Sequence, residues 1–275
     1  MQPLQGRSPL INIIFNTCTL AARYILKDFR ELENLQNSKR DKSDFLNKTL
    51  INLKKNFEYE LSKARPEWPI LDNNFKIKNY LKKGFKDNFW VISSLDGKEN
   101  FVNGVPHFSI SIAVINDCKI SVAGIFDPIR REFFYAENGK GAYMNNSRIR
   151  VSAKDKFESS LIATEKKYID EDDLKYNLED INEFINLGAN IRVSGCNSID
   201  ISWVACGRYD AFLTHNLNLQ DTISGILIVG ESGGLISNLK LQEDYIKFEN
   251  ICLGNPSIYS KLISIINSKK ALSHS

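Results

Sequence analysis

The chain has few of the residues that build disulfide frameworks and zinc sites. Its 275 residues include five cysteines and three histidines. The cysteines are odd in number, far apart and mostly within apolar runs, and none forms a Cys-x-x-Cys pair: Cys18, Cys118, Cys196, Cys206 and Cys252. This spacing indicates neither a disulfide framework nor a zinc site, and it predicts reduced, mostly buried thiols.

A charge excess and long apolar runs are also missing. The chain has 36 basic and 33 acidic residues, for a net charge of +3. Direct nucleic-acid binding would need basic residues clustered on one face, so this balance argues against it. No apolar run approaches about 18 residues, and the first residues lack the layout of a signal peptide. We therefore expect a cytoplasmic protein with no membrane segment.

The apolar patterns that are present predict a mixed α and β protein. Residues 8–32 and 45–64 show the i, i+3, i+4 spacing of amphipathic helices, separated by a polar segment. Residues 108–136 predict an antiparallel meander, and the second half alternates helix and strand. We expect a single domain over 1–275, with an α+β lobe over 1–152 and an α/β lobe over 153–275.

Residues 89–101 are the most informative segment. An apolar run leads to Ser93-Ser94-Leu95-Asp96-Gly97-Lys98 and then to Asn100-Phe101. This is the outline of a metal-dependent phosphatase loop from which several acidic and hydroxyl groups are absent. A single Asp-Gly turn would be a weak signal, so the assignment depends on the motifs that surround it.

With those motifs, the chain resembles the inositol monophosphatase family of Mg²⁺-dependent, lithium-sensitive phosphatases, in particular the bacterial extragenic suppressor branch. The landmarks follow in order over about residues 8–256: Ala64-Arg65-Pro66, Trp90, Asp96-Gly97, Asn100-Phe101, Gly104-x-Pro106, Gly139-x-Gly141-Ala142-Tyr143, Gly207-Arg208-x-Asp210 and Gly233-Gly234. The resemblance implies a layered α-β-α-β-α sandwich and a homodimer. One member of this branch is tied to the transcription machinery, which suggests a protein partner by analogy.

Phosphate-ester hydrolysis with Mg²⁺ needs several carboxylates that hold two or more cations near the phosphoryl group. The resemblance assigns Asp96 and Asp221 as metal ligands, Leu95 as a ligand through its backbone carbonyl, and Gly97 as a phosphate-binding amide. It also places Gly195 and Cys196 close to the substrate.

Other family positions are changed here. By the resemblance, two metal-ligand carboxylates are replaced by Asn73 and Ser93, and the two residues that position water are replaced by Lys98 and Leu50. Thr214 stands where an acidic residue would hold inositol hydroxyls. Because two carboxylates are lost and a cation is gained, we expect Mg²⁺ binding to be weak or absent and catalysis to be lost or severely impaired.

Lys98 carries a sharper hypothesis: its ammonium replaces a metal ion between Asp96 and Asp221. The alternative is a lysine that points to solvent. A second open alternative is that Glu99 or Asp72 moves in and rebuilds a ligand.

The remaining candidates have simpler interpretations. A structural role is expected for His107, a buried inert thiol for Cys196, and a turn for Asp127. His215 is close to Asp221 in sequence, so a ligand contact is a weaker possibility there. Gly233-Gly234 predicts a helix C-cap followed by a turn.

Three functions remain open from the sequence. The first is a non-catalytic family member that binds a protein partner or a phosphorylated small molecule at Gly97 and Lys98. The second is a residual Mg²⁺-dependent phosphatase acting on inositol or sugar phosphates through Asp96 and Asp221. The third is a decaying paralogue with no selected role.

Overall fold

A computed structural model describes residues 7–35, 42–72, 74–83, 86–165, 171–216, 218–242 and 250–272. Its helices are α1 (Pro9–Leu35), α2 (Lys42–Ala64), α3 (Asn74–Lys82), α4 (Lys98–Val102), α5 (Glu171–Asn186), α6 (Asn197–Ala205), α7 (Leu219–Glu231) and α8 (Pro256–Leu272). Its strands are β1 (Ile70–Leu71), β2 (Phe89–Asp96), β3 (Ser109–Asn116), β4 (Lys119–Asp127), β5 (Glu132–Glu137), β6 (Ala142–Met144), β7 (Ser147–Arg148), β8 (Leu161–Thr164), β9 (Asn190–Arg192), β10 (Ala211–Thr214), β11 (Leu235–Ser237) and β12 (Ile251–Gly254).

The strands form two sheets. The first has seven strands in sequence order, β1 to β7, and all its neighbouring pairs are antiparallel except β1 with β2. The second has the order β11-β12-β10-β8-β9 and is mixed, because β8 is parallel to both of its neighbours. The predicted antiparallel meander over 108–136 is confirmed as β3, β4 and β5.

The two faces of the first sheet are read from the alternation along β2. Trp90 and Ile92 pack with the buried face of α1 and α2, whereas Phe89 and Val91 pack with α6 and α7. The opposite side of α6 and α7 meets the second sheet, and α5 and α8 cover the far face of that sheet. The result is five layers in the order α-β-α-β-α, which confirms the fold class.

Helix α1 is a core helix, although it is long. By length and composition alone, residues 9–32 pass the test for a membrane span. However, its apolar stripe is buried against the first sheet: Ile11, Ile14, Phe15, Cys18, Ala21, Ala22, Ile25 and Phe29. Amphipathic periodicity explains this helix better than total hydropathy does.

Helices α3, α4 and α8 were not anticipated, and several helix ends differ from the prediction by a few residues. Helix α2 begins at Lys42 rather than near residue 45. Helix α3 is rich in lysine and asparagine, and its periodic signal is short. Helix α8 does carry a start signal, because the Asn255 side chain accepts a hydrogen bond from the Ile258 amide at 2.9 Å and Pro256 takes the first helical position.

Helices α6 and α7 cross at a glycine, which gives a test of the packing. A Cβ atom on Gly225 would lie 2.4 Å from Cγ2 of Ile201, whereas one on Gly230 would lie 3.8 Å from its nearest neighbour, Ile236. We expect Gly225→Ala to lower the free energy of unfolding by about 1–3 kcal/mol through overpacking. Gly230→Ala, in the same helix, should leave it unchanged or raise it by up to about 1 kcal/mol. Chemical denaturation measures both, and equal losses would contradict the close crossing.

Candidate functional site

The end of strand β2 brings the phosphatase-like segment between the two sheets. The register of β2 with β3 shifts between Ser93 and Asp96. Gly97 then turns the chain with a φ of 83°, and a Cβ atom there would lie 2.8 Å from the backbone oxygen of His107. Only glycine fits this turn without strain. The turn presents Asp96 to the first residues of α6.

Asp96 is buried and already hydrogen-bonded. Its Oδ2 accepts from the Ser198 amide at 2.8 Å and contacts Sγ of Cys196 at 3.5 Å. Sγ of Cys196 lies 3.4 Å from Oγ of Ser109. Burial raises the pKa of Asp96, and the charge of Glu165 acts in the same direction, although the Ser198 and Cys196 contacts partly oppose this. One carboxylate of the site is therefore held by the start of α6.

Asp221 is held in a similar way in the first turn of α7. Its Oδ1 accepts from Oγ of Ser93 at 2.6 Å, and its Oδ2 accepts from the side-chain amide of Asn218. Its backbone oxygen accepts from Oγ of Ser198 at 2.7 Å. The structure thus places Ser93 and Asp221, two positions that the resemblance assigned to metal ligands, within hydrogen-bond distance of each other.

This hydrogen bond bears on metal binding. Mg²⁺ takes octahedral oxygen ligands at about 2.1 Å, so neighbouring ligand oxygens lie about 3 Å apart. The 2.6 Å contact between Ser93 and Asp221 is shorter and has a proton between the oxygens. Among the residues that the structure describes, no group of three or more His, Cys, Asp or Glu side chains is placed to hold a metal ion. The described side chains around Asp96 and Asp221 therefore do not fit an Mg²⁺ cage.

The other described positions that the family resemblance singled out do not supply the negative charge that the site has lost. Lys98 is exposed, and no described carboxylate lies within 4.0 Å of its ammonium, so no contact supports the hypothesis that it replaces a metal ion. Leu50 is partly buried and packs with the α1–α2 core, and Leu95 is buried. Asn73 lies outside the described residues.

The described contacts of the two carboxylates proposed to move in, Asp72 and Glu99, are not with the site. The Lys54 ammonium contacts the Asp72 carboxylate at 2.5 Å. Burial would raise the pKa of Asp72, but its hydrogen bond to Lys54 and the charges of Lys54 and Lys76 lower it overall. Glu99 is exposed in α4.

Glu165 is an acidic neighbour that the sequence did not point out. The hydroxyl of Thr214 donates to its Oε2 at 3.5 Å, and the pKa of Asp96 responds to its charge. Strands β8 and β10 are parallel neighbours, so the residues at their carboxyl ends meet at one edge. Knowledge of this pairing, which the sequence alone does not give, would have identified Glu165.

Asn100 joins the loops around the site. Its side-chain amide donates to the backbone oxygens of His107 and Ser194, each at 2.8 Å. Gly195 follows with a φ of 79°, and its Cβ position lies 3.3 Å from Asn100. Cys196 is fully buried, and burial together with the charge of Asp96 raises the pKa of its thiol well above the usual value. The expectation of a buried, unreactive thiol at Cys196 agrees with this environment.

The other candidates are structural. Asp127 accepts from the amides of Ile129 and Arg130 at 2.9 and 3.0 Å, which is a turn. His215 contacts Asp180 of α5 at 2.9 Å. Gly233 has a φ of 89° directly after α7, where the helix C-cap was predicted.

Comparison with known proteins agrees with the fold and the motifs. The model of the inositol monophosphatase family matches residues 7–271. The chain is 32% identical over 94% of its length to Nus factor SuhB of Pseudomonas aeruginosa, covering 96% of that protein. It is 31% identical over 88% of its length to inositol-1-monophosphatase of Caulobacter vibrioides, covering 95% of that protein.

Solved structures give the same result. The native extragenic suppressor protein suhB from Bartonella henselae superposes with a TM-score of 0.80 at 31% identity, covering 94% of this chain and 98% of that one. Inositol monophosphatase II from Staphylococcus aureus has a TM-score of 0.77 at 22% identity, covering 94% of this chain and 96% of that one, and supports the fold alone. The chain belongs to the inositol monophosphatase family.

Proposed function

We propose that this chain is a family member that has lost most of its Mg²⁺-dependent phosphatase activity and acts by binding. The observation that carries the proposal is the hydrogen bond between Ser93 and Asp221. Where the family resemblance implies two carboxylates sharing a cation, here a hydroxyl satisfies the remaining carboxylate directly. A neutral donor to this partly buried carboxylate reduces the need for a cation at this point.

The second remaining carboxylate supports the same proposal. Oδ2 of Asp96 accepts the Ser198 amide, and burial favours its protonated form. Recruiting Asp96 to Mg²⁺ would mean ionising it next to Glu165 without the two acidic partners that Asn73 and Ser93 replace. A single Mg²⁺ ion would be held by fewer carboxylates, so less electrostatic attraction would offset the cost of ionising Asp96.

The proposed ligand is a phosphorylated small molecule at Gly97 and Lys98. Lys98 is exposed at the start of α4, beside the backbone of Gly97, so its ammonium is available to a phosphate group. A protein partner is the second proposed binding mode. It is suggested by several relatives that carry the name Nus factor. A homodimer is proposed from the resemblance, and a cytoplasmic location is proposed from the sequence features described above.

The alternative is residual Mg²⁺-dependent hydrolysis of myo-inositol 1-phosphate through Asp96 and Asp221. Relatives named inositol-1-monophosphatase favour it, and both acids keep their places in the fold. It requires the hydrogen bonds at both carboxylates to be exchanged for metal ligation.

Purified protein assayed on myo-inositol 1-phosphate and fructose 1,6-bisphosphate over a Mg²⁺ series separates these functions. We expect no Mg²⁺-dependent turnover above that of Asp96→Asn, which serves as the matched background. Turnover that rises with Mg²⁺ and is abolished by Asp96→Asn would contradict the proposal. Binding of myo-inositol 1-phosphate without Mg²⁺, weakened by Lys98→Ala, would support the small-molecule mode.

A further inference from the structure

His107 and Asp200 face each other between the first sheet and α6. His107 lies in the loop between α4 and β3, and Asp200 lies in the first turn of α6. Nε2 of His107 and Oδ1 of Asp200 are 4.0 Å apart, and the two side chains are 12% and 0% exposed. Neither atom has a hydrogen-bond partner among the described residues. Such a pair of buried, facing polar atoms is rare in folded proteins and calls for a role.

Acidic groups dominate the surroundings of Asp200. Its Oδ2 accepts a hydrogen bond from Oγ of Ser194 at 2.6 Å. Burial and the charges of Asp96 and Glu165 raise the pKa of Asp200 to about 8, against the lowering effect of Ser194. Tyr209 also faces Asp200, whose charge contributes to a raised pKa of that phenol. The protonated form of this carboxyl group is therefore favoured below about pH 8.

The groups around His107 also favour its neutral form. Burial and the charge of Arg130 lower the pKa of His107, while Asp127 acts weakly in the opposite direction. Its ring packs edge-on against Trp203 at a centroid distance of 5.5 Å. The pair consequently consists of a carboxylic acid and a neutral imidazole, of which one can donate and the other can accept.

Asp200 also supports the segment that contacts Asp96. Ser194, which donates to Asp200, accepts from the Cys196 amide at 3.2 Å through the same oxygen. Two residues further on, the Ser198 amide donates to Asp96. The position of residues 194–198 on the site therefore depends on Asp200 through Ser194.

We infer that Asp200 and His107 form a proton-linked latch, in which a neutral Asp200 keeps residues 194–198 closed on Asp96 and loss of its proton to solvent opens this segment. When the Asp200 carboxyl group ionises, its charge is buried and repelled by those of Asp96 and Glu165. No described lysine or arginine lies within 4.0 Å of it, and its neighbour His107 favours the neutral form. Hydration would stabilise the ionised carboxylate, so ionisation favours displacement of the loop that carries Ser194, which donates to Asp200. The inference applies whether the protein binds or hydrolyses its ligand.

Hydrogen–deuterium exchange of the full chain at pH 6 and pH 9, corrected for intrinsic exchange rates, tests the latch. In the wild type we expect protection of residues 193–199 to fall by about tenfold or more between these pH values, since the ionised fraction changes by about two orders of magnitude. Asp200→Asn, which mimics the neutral acid, should keep the segment protected at both. Asp180→Asn removes the buried carboxylate that pairs with His215 and should leave the response as in the wild type.

No fall in protection in the wild type, or a fall that persists in Asp200→Asn, would overturn the latch. A second measurement needs no variant. In wild-type protein labelled with ¹³C at aspartate carboxyl groups, the Asp200 signal should titrate at about pH 8 together with loop opening. Titration of Asp200 below about pH 5 would equally overturn it.

Discussion

The triple substitution Asn73→Glu, Ser93→Asp and Lys98→Thr is expected to raise Mg²⁺-dependent hydrolysis of myo-inositol 1-phosphate by at least about 10²-fold, the lower range of what proton-transfer groups contribute. Two carboxylates return to the ligand positions that the family resemblance assigns, and a cation is replaced by a hydroxyl. In particular, Ser93→Asp exchanges the hydrogen bond to Asp221 for a second negative charge, which only a cation can offset.

The control for this gain is the same triple variant carrying Asp96→Asn as well, which should return to background. The triple variant should also unfold more easily than the wild type without Mg²⁺ and be stabilised when Mg²⁺ is added, because binding to the folded state raises stability. A triple variant that folds, gains no activity and shows no Mg²⁺-dependent stabilisation would mean that the lost residues are not what separates this chain from active relatives. Leu50→Asp is the next substitution to add, although it places a charge in a partly apolar position.

Asp200→Asn is expected to change the pH dependence of stability by several kcal/mol. The pKa of Asp200 is raised from its ordinary value of 3.8 to about 8 in the folded protein. Its contribution to stability is therefore fully present below about pH 4 and is lost as the pH rises towards about 8. Over this window the loss amounts to about 5 kcal/mol, as an order of magnitude.

Denaturant unfolding of the wild type and Asp200→Asn at pH 4.5 to 8.5 measures this effect. The free energy of unfolding of the variant, relative to that of the wild type, should increase as the pH rises, because asparagine cannot ionise. Ser194→Ala is a matched control, since the Ser194 hydrogen bond lowers the pKa of Asp200 and its removal should extend the falling limb to higher pH. A difference that stays constant across the range would contradict a neutral Asp200.

Much of the fold follows from local patterns. The apolar stripes of α1 and α2, the apolar runs of β2 to β5 and the turns at Gly97 and Gly233 are encoded within a few residues of each position. By contrast, α3 has too short a periodic signal, and the order of the second sheet depends on pairing between distant strands.

The site divides in the same way. The motif around Asp96 and Asp221, and the changes at Ser93 and Lys98, can be read from the sequence. The contacts of Ser93 with Asp221 and of Ser198 with Asp96 join residues more than 100 positions apart, so they could not be predicted from the sequence. The same is true of Glu165 and of the His107–Asp200 pair, whose roles come from which strand or helix ends meet. The resemblance suggested that the Lys98 ammonium replaces a metal ion between Asp96 and Asp221, but Lys98 is exposed at the turn after Asp96.

In the proposed function, hydrogen bonds within the protein have replaced the metal cage. Isothermal titration of Mg²⁺ into the wild-type protein and into the Asn73→Glu, Ser93→Asp, Lys98→Thr variant tests it most directly. The account predicts no saturable binding to the wild type at millimolar Mg²⁺ and at least one bound ion in the variant. Two or more Mg²⁺ ions bound to the wild type at submillimolar concentrations, with binding lost in Asp96→Asn, would contradict it.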